Sequence, residues 1–416
     1  MRTQRPLTWD IRGAFAGLLA FLALVAGVAL SMWTAPAEAT PRVPVDDDEI
    51  VERLPAVAGW SREERRLRRE LVQRPRDAAV AVEAAQSYLD LARSQGDARY
   101  AGHAMGALQA WQPMTAATPT AVLVMHATVA QFLHDFDGAE RTLRQALAQE
   151  SSNAQGWLTL ATLLRVRGRY GESDAACKAL VRLQQNLYAQ ACLAENAGLR
   201  GDHPAARDTV QGLLALPALR DPRQAATRQW LWTTLAEVEE LAGRKDEAGQ
   251  AYRQALSAER SGYDVIAYSD FLLAIDRPAD VLPLLATEPR SDAVLLRLAI
   301  ATQRLDTRGA LPAARRAIAQ RDTQELTARF EAAALRPGTT AVHGREHALF
   351  ALDVQNDPVQ AVRLARQNVQ LQREPVDVLV FARAASAAKD TAAQDEVRAL
   401  MRTTGLRDAR TEALLK

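Results

Sequence analysis

Two cysteines, 5% aromatic residues and a net charge of only +1 from 51 Lys and Arg against 50 Asp and Glu mark this chain of 416 residues. Balanced charge removes the electrostatic footprint of a nucleic-acid-binding domain, and it gives the body of the protein no general attraction to an anionic membrane surface. Few aromatics, abundant alanine and the lack of alternating Val, Ile, Thr and aromatic runs argue against a sheet-based fold. There is no G-x-x-x-x-G-K-[ST] or G-x-G-x-x-G cradle for phosphates, and no G-x-S-x-G elbow for a nucleophilic serine. No cofactor and no small-molecule substrate are implied.

Apolar residues make up 48% of the chain and recur at helical spacing. Within residues 120–187, two adjacent blocks of equal length carry the same order of large, small and turn residues. In the first, Leu123, His126, Ala127 and Ala130 precede a turn at His134-Asp135-Phe136, and Ala139, Leu143 and Ala146 follow. In the second, Trp157, Leu160, Ala161 and Leu164 precede Gly168-Arg169-Tyr170, and Ser173, Cys177 and Leu180 follow. Each block reads as a pair of amphipathic helices. Neither pair can bury its apolar face alone, so the pairs must stack into one elongated core.

This pattern resembles the tetratricopeptide repeat family, whose unit is about 34 residues long and opens W-x2-L-G-x2-Y. Trp157, Leu160 and Ala161 keep that opening with Ala for the Gly, and Leu164 replaces the Tyr. The fullest match is Trp232, Leu235 and Ala236, the turn from Gly243 to Ala248, then Tyr252, Ala255 and Leu256. The resemblance implies an all-α fold, a right-handed superhelical solenoid of about nine antiparallel helix pairs, whose concave face grips a protein or peptide. It also implies that exposed positions of each first helix line that face. Those positions are Thr128, Arg165, Tyr188, Glu195, Trp230, Glu237, Glu240, Tyr263 and Asp270, with Val124, Gln131, Leu158 and Thr162 beside them. Their aromatics and carboxylates suit an extended segment with basic and apolar side chains, although solvated helix faces carry such residues too. Some members clamp a C-terminal carboxylate with Lys, Asn and Arg. The corresponding places here hold Thr, Leu, Glu and Ala, which argues against that mode.

The chain divides accordingly. Residues 1–39 read as a signal peptide or an N-terminal membrane anchor, because Arg2, Arg5 and Arg12 precede an uncharged run over residues 13–33. Ala37-Glu38-Ala39 offers cleavage before Thr40, and Ala35-Pro36-Ala37 is a second candidate. The run exceeds the roughly 7–15 residues of a signal core and approaches the roughly 20 that span a bilayer. Release and anchoring therefore both stay open, and either one puts the following residues outside the cytoplasm. Residues 40–60 form a linker. Residues 61–76 form a capping half-repeat that Ser61 and Glu64 open with capping-box spacing. Residues 77–290 carry repeats (82–115, 120–153, 154–187, 187–220, 229–262 and 262–290), and residues 291–416 carry degenerate ones. A small residue recurs at the centre of the second helix, as Ala101, Ala139, Ser173, Ala206 and Ala248.

Cys177 and Cys192 are expected at the same height of an antiparallel hairpin turning near Gln184-Gln185, where an oxidising compartment would bridge them; two buried thiols are the alternative. Neither cysteine has a C-x-x-C partner or a base, which argues against a catalytic thiol. His343-Gly344-Arg345-Glu346-His347 matches the H-x-x-E-H pattern of inverted zinc peptidases. Gly344 weakens the helix that would hold both ligands, so the plainer reading is a helix start with a capping His343 and a solvated Glu346. The sequence thus predicts a non-enzymatic exported scaffold or adaptor for a protein or peptide in the cell envelope, with membrane contact only through an uncleaved N-terminal segment. The alternative is an anchored assembly factor of the cytochrome-maturation or envelope-biogenesis type, and a metal-dependent hydrolase at His343 and His347 is the remote one.

Overall fold

The computed structural model describes residue 46, residues 61–334 and residues 344–416. The export or anchor segment over residues 1–39, the linker apart from residue 46, and His343 lie outside the described residues. Within them there are twenty α-helices and no strand. No described helix is long and apolar enough to cross a membrane.

Helix α1 (Arg62–Gln73) opens the array. The Ser61 side chain accepts the Glu64 amide while the Glu64 carboxylate takes the Ser61 amide, the reciprocal pair that satisfies two amides otherwise left over at a helix start. Nine antiparallel pairs follow. They are α2 (Ala78–Gln95) with α3 (Arg99–Ala107), α4 (Thr120–Phe132) with α5 (Phe136–Gln149), and α6 (Ala154–Val166) with α7 (Tyr170–Arg182). Next come α8 (Asn186–Leu199) with α9 (His203–Leu214), α10 (Ala225–Leu241) with α11 (Lys245–Ala258), and α12 (Gly262–Ala274) with α13 (Pro278–Leu285). The last three are α14 (Asp292–Thr307) with α15 (Ala313–Ala334), α16 (Gly344–Asp353) with α17 (Pro358–Leu371), and α18 (Pro375–Ala387) with α19 (Thr391–Thr404). A short α20 (Ala409–Leu414) ends the array.

The recurring small residue explains how each pair closes. Ala101, Ala139, Ser173, Ala206 and Ala248 are all fully buried where their helix crosses its partner, and a larger side chain there would hold the axes apart. Every pair turns through one residue with positive φ, from Gly96 in the first pair to Lys389 in the ninth. An aspartate often follows and caps the second helix. Asp135, Asp202, Asp357 and Asp390 each accept the amide three residues on. The connection between α9 and α10 contains two short 3-10 turns at Pro217–Arg220 and Pro222–Gln224. Between α7 and α8, Cys177 and Cys192 form a disulfide with their Cα atoms 5.8 Å apart. It sits in a small cluster with Ala161 and Ala176.

The superhelix coils until its later turn rests on its earlier one. The amide of Arg373, between α17 and α18, donates to the carbonyl of Val166 at the end of α6 at 2.7 Å. The amide of Arg407, between α19 and α20, donates to the carbonyl of Leu199 at the end of α8 at 2.9 Å. Carbonyls of the last helical turn have no partner inside their own helix, so the later part of the chain fills a need built into the earlier part. Leu371 packs against the cluster of Leu160, Leu163 and Leu164, joining hydrophobic cores far apart in the chain. At the other end of the contact, Gly96 closes on Ser291, the residue that caps α14.

Candidate binding groove

The first helices of successive pairs face inward, and their side chains meet those of the C-terminal pairs across the interior. On α8 and α10, Tyr188 stacks on Trp230 with ring centroids 5.9 Å apart and planes 27° from parallel. Two helical turns further along the same two helices, Glu195 and Glu237 follow. The α6 residue Arg165 reaches Glu195 at 2.6 Å, and the Thr234 hydroxyl donates to the other carboxylate oxygen at 3.0 Å. Tyr263, at the start of α12, donates its hydroxyl to Glu237 at 2.6 Å and remains 62% exposed. Tyr252 of α11 donates to Glu240 at 2.6 Å, and the Arg410 guanidinium holds the other oxygen at 2.6 Å. Asp270 receives Arg297 of α14 through two bonds of 2.8 and 2.7 Å. That arginine is 2% exposed, so the pair is a buried strut between neighbouring repeats.

The far wall comes from the C-terminal pairs. Arg345 of α16 pairs with Glu374, the residue preceding α18, and reaches Asp377 at 2.6 Å, while the Asn368 amide donates to Asp377 at 2.7 Å. Convergence of partly and fully buried carboxylates shifts their titration. Burial pushes Glu237 up to about 8 against the pull of the Tyr263 hydrogen bond, with Glu195, Glu374 and Glu240 adding like-charge repulsion. Burial also raises Glu240, which Arg410 and Tyr252 pull the other way. Asp377 rises to about 6 through burial, despite Arg345 and Asn368 beside it. The phenol of Tyr263 is held above its ordinary range by the Glu237 charge beside it.

The expected groove residues therefore have different fates. Tyr188, Glu195, Trp230, Glu237, Glu240 and Tyr263 are brought together, and Arg165 joins them through Glu195. Asp270 is locked to Arg297. The hydroxyl of Thr128 donates at 2.8 Å to the Val124 carbonyl of its own helix. Val124 itself is not on the groove: it is buried against Leu123 and Ala146, because Met114 on the connection before α4 folds over it. Arg345, Glu374, Asp377 and Arg410 were not among the expected residues. Repeat spacing carries no signal for them, since it says which face a residue lies on and not which distant repeat faces it. Of the H-x-x-E-H stretch, His347 is 9% exposed with its ring 4.2 Å from that of Phe330, and Glu346 is half-buried rather than solvated. Among the described residues no group of three or more His, Cys, Asp or Glu is placed to hold a metal ion.

No family model matches the chain, and no curated protein matches it. Among solved structures, PilW, a widely conserved type IV pilus biogenesis factor, is 16% identical over 51% of this chain and 91% of its own, with a TM-score of 0.37. A tetratricopeptide repeat protein from Parabacteroides merdae is 13% identical over 74% of this chain and 98% of its own, with a TM-score of 0.35. The Rap protein complexed with Competence and Sporulation Factor is 11% identical over 74% of this chain and 96% of its own, with a TM-score of 0.42. With TM-scores this low the superpositions add nothing to the fold, which rests on this chain's own stacked helix pairs: an all-α solenoid of the tetratricopeptide type.

Proposed function

We propose that the protein is a non-enzymatic scaffold, working outside the cytoplasm, whose inner face holds a segment of a protein partner. The observation that carries this reading is the join of an aromatic shelf, Tyr188 on Trp230, to the carboxylates of Glu195 and Glu237 along one face of α8 and α10. Exposed aromatics flanked by polar groups are the usual anchors of protein recognition, and Tyr188 and Tyr263 are 38% and 62% exposed. Affinity capture from the native envelope tests it, comparing wild type with a variant carrying Trp230→Ala and Glu237→Lys. Loss of specific captured proteins in the variant is the expected result; an unchanged set rules out this surface.

The uncharged run over residues 13–33 favours a second form of the same reading, an anchored assembly factor that carries the solenoid on the outer side of the membrane. The N-terminal residue of the mature protein separates the two. Thr40 indicates release, and an intact Met1 region indicates an anchor.

A further inference from the structure

Each carboxylate named on the inner face, with one exception, is met by a cation from this chain. Arg165 serves Glu195, Arg410 serves Glu240, Arg297 serves Asp270, and Arg345 serves both Glu374 and Asp377. The exception is Glu237. Among the described residues its one hydrogen-bond partner is the Tyr263 hydroxyl, on Oε1, and no Lys, Arg or His lies within ion-pair distance.

Glu240, one helical turn along the same face of α10, shows the completed arrangement. A tyrosine hydroxyl, from Tyr252, occupies one carboxylate oxygen and a guanidinium, from Arg410, occupies the other. Glu237 repeats the tyrosine half and leaves Oε2 without the guanidinium half. Around it stand the exposed ring of Tyr263 and, toward the start of α10, the stacked Tyr188 and Trp230. Glu237 is half-buried, so a cation arriving from outside can reach the open oxygen, and a planar guanidinium can bond that oxygen while lying against an aromatic ring.

We propose that Glu237 is the seat for an arginine side chain of an extended partner segment, with apolar residues of that segment on Tyr263 and on the Tyr188–Trp230 stack. This rests on the scaffold reading and names the chemistry of the bound segment. Arg410 on Glu240 is then an internal copy of the contact a partner makes one helical turn away.

Selection of a random peptide display library on the immobilised full-length protein tests the assignment with wild type, Glu237→Gln, Tyr263→Phe and Trp230→Ala in parallel. The glutamine keeps the Tyr263 hydrogen bond and removes the charge, and an unchanged helical circular dichroism spectrum with a cooperative thermal transition verifies that each variant folds. Wild type should enrich peptides with an arginine at a fixed distance from apolar residues, and Glu237→Gln should not. For one selected peptide, replacing that arginine with citrulline should weaken binding about tenfold or more to wild type and have little effect on Glu237→Gln. Lysine replacing the same arginine should bind between the two. Peptides that are lost on Trp230→Ala but show no arginine preference overturn the seat at Glu237 and leave the groove intact. Peptides indifferent to Trp230→Ala, or none selected at all, overturn the groove as well.

Discussion

The guanidinium of Arg410 in the last helix lies 2.6 Å from the carboxylate of Glu240, 170 residues earlier in the chain. Asp408, fully buried, holds the same guanidinium at 2.9 Å and so fixes its direction. This contact ties the end of the superhelix to its middle. It closes one side of the inner space that the first helices line.

Replacing Arg410 with Met should therefore loosen the C-terminal turn without unfolding the repeats. Removing one partner of a buried pair leaves the other charge uncompensated, and because Arg410 is 23% exposed the cost should be about 1–3 kcal/mol. Urea denaturation measures it. Hydrogen exchange adds the location: the Arg407 amide, bonded to the Leu199 carbonyl, should lose protection first.

A comparison of two glycines isolates the contact between superhelical turns. Gly96 and Gly309 have nearly the same φ, +64° and +67°. A Cβ on Gly96 would lie 2.4 Å from the Cβ of Ser291, whereas a Cβ on Gly309 would meet nothing within 4 Å. Gly309→Ala should cost about 1 kcal/mol for the left-handed backbone alone. Gly96→Ala should cost about 1–3 kcal/mol more, because backbone must move. Equal losses would mean that the turns do not touch at that point in solution.

Reduction of the Cys177–Cys192 bridge should lower stability by about 3 kcal/mol, the cost of freeing a short closed loop in the unfolded chain. Chemical denaturation with and without a reductant reads the difference. A Cys177→Ala, Cys192→Ala variant should match the reduced protein and be insensitive to the reductant.

The raised carboxyl of Glu237 predicts a dependence on pH. Unfolded, it titrates at its ordinary 4.5; folded, at about 8. Between those values the native state keeps a proton that the unfolded state has lost, so stability falls as pH rises through the interval. Asp377 acts in the same direction between 3.8 and about 6. In thermal melts across that range, Glu237→Gln should remove the decline above pH 6 and leave below it only the part that Asp377 contributes. An unchanged slope above pH 6 would falsify the assignment to Glu237.

Much of this architecture was legible in advance. The helical period of apolar residues marked the pairs, and the five recurring small residues marked their crossings. Capping chemistry at Ser61 and the aspartates located helix starts. Two cysteines, each about two turns from a shared bend, placed their sulfurs together. These features depend on interactions within about one repeat, where spacing along the chain is nearly the same as spacing in space.

The glycines show where that local reading stops. Gly168 and Gly243 read as turn residues, and both turn with positive φ, as do Gly96 and Gly201. Yet His134, Asp276, Asn356 and Lys389 make the same kind of turn in other pairs, so conformation alone does not demand glycine. All four of those glycines abut a later turn of the superhelix. A Cβ on Gly168, for instance, would meet Thr404 at 2.8 Å. No spacing rule connects these positions.

By itself the sequence determined the helix pairs and their order, because periodicity and capping act over a few residues. Only the tertiary structure decided that the coil is tight enough for its second turn to rest on its first. It brought Arg410 to Glu240 and Arg345 to Glu374 and Asp377, and among the described residues it gave Glu237 only the Tyr263 hydroxyl. The physical reason is that small inclinations between successive pairs accumulate over the whole array, and no single repeat encodes their sum.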